Sequence, residues 1–292
     1  MSIVIATRLR PHELQTCLNA LDTQADAPEF EVIVVNDSVV PLQVEIDAYN
    51  FPLSVVSSGS DGVGPAKARN IGVRQTVGEY VFFTDDDTTV DERWVAAGMK
   101  ALQSGALGVE GRVESPPWSA TRAHSVENHS GGGYLTCNVA YRRDALEAVG
   151  GFDENYPYPH CEDVDLAYRV MQRGGILFEN SMLVTHSPRP MGLWERTIRG
   201  RMAASEVRLL RVQAATRDRA QPSPIGTLLR IARGYVGQWL HTALRPGLTT
   251  NERLRALIAG SGQTMMALIG GLEGLYRERR WRPSTDHRMR NQ

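Results

Sequence analysis

Three carboxylates stand in a row at Asp85-Asp86-Asp87, directly after the apolar run Tyr80-Val81-Phe82-Phe83-Thr84. The run reads as a buried strand, β-rich and without breakers. Adjacent carboxylates repel one another and cost stability unless a positive group sits among them. In an open α/β sheet the C-terminal end of a strand is where ligands bind. A divalent metal carrying a phosphate fits that position. A solvated acidic turn is the other reading, because Asp is common in loops.

Four further groups of residues have the types that such chemistry needs. Asp37 closes the run Glu31–Val35 and lies on the same sheet edge, where a carboxylate can accept hydrogen bonds from a base or ribose or simply form a turn. Lys67, Arg69 and Asn70 sit near the start of a helix that opens at Pro65. A helix N-terminus attracts anions, and added cations strengthen a phosphate or nucleotide site. Glu162-Asp163-Val164-Asp165-Leu166 opens another helix with its apolar and acidic sides separated. A carboxylate there can act as a general base on a sugar hydroxyl, or it can serve the helix dipole. His186 follows a short strand and, beside two Asp carboxylates, would complete an O,O,N site for Mn²⁺ or Mg²⁺.

The elements that must hold these residues alternate. Ile3–Ala6, Glu31–Val35, Leu53–Ser57 and the run before Asp85 read as strands; Pro11–Leu21 and Pro65–Thr76 read as helices between them. That alternation predicts an α/β fold with a mainly parallel, doubly wound sheet and helices on both faces. Beyond it, Trp94–Gln103 reads as a helix and Leu107–Glu114 as a strand. Ser115–Gly133 reads as a loop over the site and Leu135–Tyr141 as a strand. Asp144–Val149 and Glu162–Arg173 read as helices, and Gly175–Phe178 and Met182–Val184 as two short strands. From Leu193 onward the pattern is helical.

The pieces occur in one order: Thr7, Asn36-Asp37-Ser38, Ala68-Arg69-Asn70-Ile71-Gly72, Asp85-Asp86-Asp87, Gly150-Gly151-Phe152-Asp153, Glu162-Asp163-Val164-Asp165-Leu166 and His186. Over residues 1–190 the chain thereby resembles the family 2 glycosyltransferases of GT-A fold. The resemblance implies an inverting, metal-dependent hexosyl transfer from a nucleoside-diphosphate sugar, UDP-sugar favoured, to a hydroxyl of a glycan, lipid or other acceptor, as in cell-envelope glycan synthesis. It implies that Thr7, Arg8, Asp37, Lys67 and Arg69, with Asp85 and Asp86, bind the nucleotide. Asp87, with Asp85 and His186, would hold the divalent metal. Asp163 would be the base, and Glu162 would position the acceptor. Acceptor contacts are expected from the 115–134 loop with Gly133, from Asn138 and from Trp194. The chain departs from the family pattern at Ala6, where Pro is frequent, and at Asn36-Asp37-Ser38-Val39, where an Asp-Asp-Gly-Ser run is frequent. Asp37 is left to carry the base contact alone.

Whole-chain properties set the remaining bounds. A hydrophobic content of 42% and a charged content of 22% are ordinary for a globular protein. Three cysteines without a CxxC spacing argue against a disulfide framework and for a reducing, cytoplasmic setting. No basic leader precedes the first strand. Residues 1–200 hold 16 Lys+Arg against 27 Asp+Glu, a net of −11, whereas residues 201–292 hold 16 Arg against 6 acids, a net of +10. The split predicts a catalytic domain, 1–190, and a basic helical extension, 191–292, with different partners. Residues 256–272 carry no charge and lie between Arg253 and Arg255 on one side and Arg277, Arg279, Arg280 and Arg282 on the other. Through 225–282 the extension fits an anionic membrane surface, such as the inner face of the cytoplasmic membrane, or a packed hairpin or subunit contact in a homo-oligomer. No nucleic-acid-binding motif accompanies the Arg runs. Two other functions compete with transfer. Asp85-x-Asp87-x-Thr89 resembles the opening motif of haloacid-dehalogenase-like phosphatases, and a non-catalytic nucleotide-sugar-binding protein could keep the same fold.

Overall fold

A computed structural model describes residues 1–117, 123–216 and 223–280. The Trp118–Arg122 part of the predicted loop, and Arg282, lie outside the described residues. The chain divides into two compact units, Met1–Met191 and Gly192–Gln292.

In the first unit, β1 (Ser2–Thr7), β2 (Glu31–Asn36), β3 (Leu53–Ser57) and β4 (Tyr80–Asp85) form the parallel half of a sheet, in the order β3-β2-β1-β4. Side chains alternate across the strands, because successive Cβ atoms point to opposite faces. Ile3, Ile5, Val32, Val34 and Phe82 join one core with α1 (Pro11–Asp22). Ile33 and Val35 pack against α2 (Pro65–Gln75), and Val4, Val81 and Phe83 enter a second core on that side of the strands. The register aligns Thr7 with Asn36 and Ala6 with Asp85, so the C-terminal ends of β1, β2 and β4 meet on one line.

Past β4 the sheet becomes mixed. β5 (Thr88–Val90) follows a tight turn, and α3 (Trp94–Gln103) covers the face shared with α1. β6 (Gly108–Glu114) comes next, then β7 (Ala123–His124), a short piece inside the expected loop. The expected strand from Leu135 begins as a 3₁₀ turn, Thr136–Asn138, and becomes β8 only at Val139–Arg142. β8 runs antiparallel to both β4 and β6. After α4 (Arg143–Val149) and α5 (Glu162–Met171), the two short strands expected near the end of the unit are one element, β9 (Ile176–His186). Its pairing with β6 jumps from Gly111–Glu179 to Arg112–Leu183. The polar Glu179-Asn180-Ser181 segment interrupts the alternation in sequence because it bulges out of the ladder. β5 pairs antiparallel with β9, setting Thr88 opposite His186, and β10 (Arg189–Pro190) pairs with β7.

The second unit contains α6 (Leu193–Ile198), α7 (Ala203–Thr216), α8 (Pro224–Ala243) and α9 (Thr250–Arg280). Its core of Ala203, Val207, Ile231, Ala267 and Leu275 is small. Among the described residues, no helix is long and apolar enough to cross a membrane.

Candidate active site

The acidic cluster has positive partners, and they are two arginines. Arg10, on the turn after β1, donates from Nη1 to Asp86 Oδ1 at 2.9 Å and to Asp87 Oδ2 at 2.8 Å. Arg69, buried on α2, donates from Nη2 to Asp85 Oδ1 at 2.8 Å and from Nη1 to Glu162 Oε1 at 3.3 Å. Its guanidinium also lies 5.7 Å from the centre of the Phe152 ring. Arg69, 93 residues before Glu162, therefore ties the end of β4 to the start of α5. Thr7 Oγ1 donates to Asp86 Oδ2 at 2.7 Å. Burial pushes the Asp86 carboxyl up to about 6 and the neighbouring Asp87 and Asp85 charges add to it, against the opposing pull of Thr7 and Arg10.

The β5–β9 register brings His186 to the cluster: Nε2 lies 3.6 Å from Asp87 Oδ1. Ser125 Oγ stands 3.1 Å from His186 Nδ1 and fixes the ring from behind. Asp87 and His186 thus offer one oxygen and one nitrogen donor side by side, a donor set suited to Mn²⁺ or Mg²⁺. Among the described residues no group of three metal-capable side chains is assembled. Asp85, expected as a third ligand, is turned to Arg69 instead. Two donors would hold a cation only with further ligands from bound substrate or water.

Asp163 stands on the first turn of α5, after Cys161, whose φ of 72° is left-handed for a residue with a side chain. Backbone strain of this kind persists where surrounding structure fixes it. The Asp163 carboxyl is pushed up to about 7, first by burial and then by the adjacent Glu162 charge. Glu162, expected to position the acceptor, spends Oε1 on Arg69, and its buried Oε2 has no hydrogen-bond partner among the described residues.

Other expected residues take different places. Asp37 is buried, and its two oxygens accept from Val63 N at 2.8 Å and Gly64 N at 3.0 Å, holding the Gly-rich turn that enters α2. Lys67 is exposed on α2, and Arg8 pairs with Asp61 at 3.0 Å. Gly133 belongs to a glycine run that enters the 3₁₀ turn. Asn138, expected to contact the acceptor, is buried; its Oδ1 accepts from Trp94 Nε1 at 2.7 Å, and its Nδ2 donates to the carbonyls of Arg112 and Met182 at 2.8 Å each. Its amide clamps β6, β9 and α3 together. Trp194 is 74% exposed on α6, in the second unit.

Two functional candidates escaped the sequence reading. Arg10 looks like any exposed Arg before a helix-opening Pro. Glu110, one of two acids in β6, is buried and accepts from Gly132 N at 2.5 Å, Tyr134 N at 2.8 Å and Asn128 Nδ2 at 3.0 Å. It shapes the loop that carries Gly133. Its only signal in the sequence is an acid in the middle of a strand whose neighbours are apolar or Gly.

Comparison with known proteins bears on the family and the fold. The model of glycosyl transferase family 2 matches residues 2–152. An uncharacterized glycosyltransferase of Haemophilus influenzae is 34% identical over 87 residues, 30% of this chain and 29% of the relative. Glycosyltransferase AglE of Haloferax volcanii is 25% identical over 214 residues, 66% of this chain and 68% of the relative. The match to the first of these therefore spans under a third of that protein. Among solved structures, the mannosyltransferase PcManGT of Pyrobaculum calidifontis, in complex with GDP-Man and Mn²⁺, superposes with a TM-score of 0.58 at 19% identity, covering 95% of this chain and 87% of that one. S. aureus TarS 1-349 gives a TM-score of 0.57 at 16% identity, covering 96% and 92%. These similarities, with the mixed sheet and its flanking helices, place the fold with the GT-A glycosyltransferases. By the match over residues 2–152, the chain belongs to glycosyl transferase family 2.

Proposed function

We propose that the protein is an inverting glycosyltransferase that moves a sugar from a nucleoside-diphosphate sugar to an acceptor hydroxyl. One observation carries this reading: Arg69 joins Asp85, at the diphosphate end of the sheet, to Glu162, next to Asp163. The leaving-group end and the base end of the site are thereby held in one network. Asp163 takes the proton of the acceptor hydroxyl as its oxygen attacks the anomeric carbon. The bond from that carbon to the diphosphate breaks, and the nucleoside diphosphate leaves with the electron pair. A carboxyl raised to about 7 is matched to that task near neutral pH, because a base works best with its pKa close to the working pH. Asp87 and His186 would hold a divalent cation, which supplies Lewis-acid stabilisation of the leaving diphosphate. Thr7 and Asp86 face the ribose, and Asp37 contacts the base with lone pairs not used by the turn. Mn²⁺ in the PcManGT complex supports the cation, and a TarS structure with UDP-GlcNAc supports UDP-sugar as donor. The three buried free cysteines support a reducing cytoplasmic setting. A phosphatase arrangement finds no support, because Asp85 is engaged by Arg69 and Thr89 is exposed on β5.

Calorimetric titration with UDP-sugars and GDP-sugars, with and without Mn²⁺, tests the donor site. Asp163→Asn is expected to keep donor binding and lose transfer. Normal transfer by that variant would remove Asp163 as the base, and metal-dependent binding without transfer by the unaltered chain would leave a binding protein.

A further inference from the structure

Helix α9 is turned inside out relative to an ordinary surface helix. The face it packs within its unit is made mostly of small residues: Ala256, Ala259, Ala267, Gly270 and Gly274 are buried, together with Leu275 and Glu278. A Cβ at Gly270 would stand 2.5 Å from the Arg201 carbonyl oxygen, and one at Gly274 would stand 2.9 Å from that of Ala204, so only Gly allows this approach. Apart from Leu275, most of the large apolar side chains point the other way. Leu254, Ile258, Met265, Ile269, Leu272 and Tyr276 are between 45% and 59% exposed. Their spacings of 4, 7, 4, 3 and 4 residues place them on one stripe, about 33 Å long at the α-helical rise. Surface helices of water-soluble proteins bury such a stripe, and an exposed apolar patch of this extent marks an interaction surface.

We infer that this stripe attaches the protein to an anionic lipid surface, with α9 lying flat in the headgroup region. Charge selects this occupant over a second copy of the chain. Arg255 is exposed at one end of the stripe; at the other Arg279 is exposed, and so is Arg277, which pairs with Glu273 at 2.9 Å. Arg230, Arg233 and Arg245 are exposed on α8 and just past its end, in the helix pair that α9 completes. Two copies joined through the stripe set Arg against Arg whether the helices run parallel or antiparallel. Anionic headgroups meet the same cations with favourable sign, at about 1 kcal/mol per residue near the surface. The absence of any spanning helix among the described residues agrees with a helix that lies in the interface. The inference stands apart from the transfer reaction, since it uses no residue of the first unit.

The test is co-sedimentation of the full chain with vesicles of phosphatidylglycerol and phosphatidylcholine, compared with phosphatidylcholine alone. Binding is expected only to the anionic vesicles, and to weaken at least about tenfold in high salt as the charges are screened. Ile258→Asp with Leu272→Asp, both at exposed positions, is expected to abolish binding while helical circular dichroism and the UDP titration stay unchanged. Arg255→Glu with Arg279→Glu is expected to weaken it about tenfold or more. Indifference to anionic lipid, or binding that survives either pair of substitutions, overturns the inference. So does a concentration-dependent dimer in sedimentation velocity that the Asp pair dissolves without any effect of lipid, which would assign the stripe to a second copy.

Discussion

Arg10 Nη1 reaches Asp86 and Asp87 together, and Arg69 takes Asp85, so the three adjacent carboxylates are neutralised from two sides. The Arg10 side chain is 36% exposed, which screens its pairs. Arg10→Ala should therefore cost about 1–2 kcal/mol, less than loss of a fully buried partner. Urea melts measure this, and added Mn²⁺ should return part of the loss by taking the vacated charge. Equal stability of variant and parent would show that Arg10 is not the cluster's counter-charge. At Asp163 the raised pKa sets a pH dependence. Below about 7 the carboxyl holds its proton and cannot accept another, so kcat should fall about tenfold per pH unit on the acid side. In Asp163→Asn that acid limb should vanish, along with about 10²–10⁴ in rate. A limb that persists in the residual activity belongs to another group.

At the scale of elements, two motifs that are separate in sequence form one joint. Asn70 on α2 donates from Nδ2 to the Phe152 carbonyl and to Glu154 Oε1, both at 2.9 Å, and its Oδ1 accepts from Phe152 N at 2.9 Å. Gly151 has a φ of 71°, and a Cβ there would lie 2.6 Å from Asn70 Oδ1. Gly151→Ala should thus destabilise by about 2–3 kcal/mol, combining left-handed strain with the lost joint. A thermal melt within a degree of the parent would contradict the joint. Glu110 plays the same part for the 128–134 loop. Glu110→Ala leaves the Gly132 and Tyr134 amides without their acceptor, at about 1–3 kcal/mol, and should raise the KM for acceptor more than that for donor. Equal change in both constants would mean that the loop does not serve the acceptor.

Across the whole molecule, the division into Met1–Met191 and Gly192–Gln292 coincides with the change from acidic to basic composition. The first unit holds the sheet, its cores and every residue of the candidate site described above except Trp194. A 1–191 fragment should fold cooperatively and bind a nucleoside diphosphate in the presence of Mn²⁺, with an affinity within about threefold of the full chain. An unfolded fragment would show that the basic unit also supports the fold.

The strand–helix alternation as far as β4, the position of Asp85–Asp87 at a strand end and the acids opening α5 were all legible in the sequence, because they depend on local periodicity and on residue type. The acidic-to-basic split along the chain is a matter of composition alone. What the sequence could not show is pairing over long separations. Arg10 meets Asp86 across 76 residues, Arg69 meets Glu162 across 93, and Asn138 meets Trp94 across 44. Whether a polar side chain serves a ligand or a neighbouring strand depends on what the fold sets within about 3 Å of it. The same reason governs α9. Its sequence is apolar on more than one side, and only the close approach of backbone at Gly270 and Gly274 decided which side faces out.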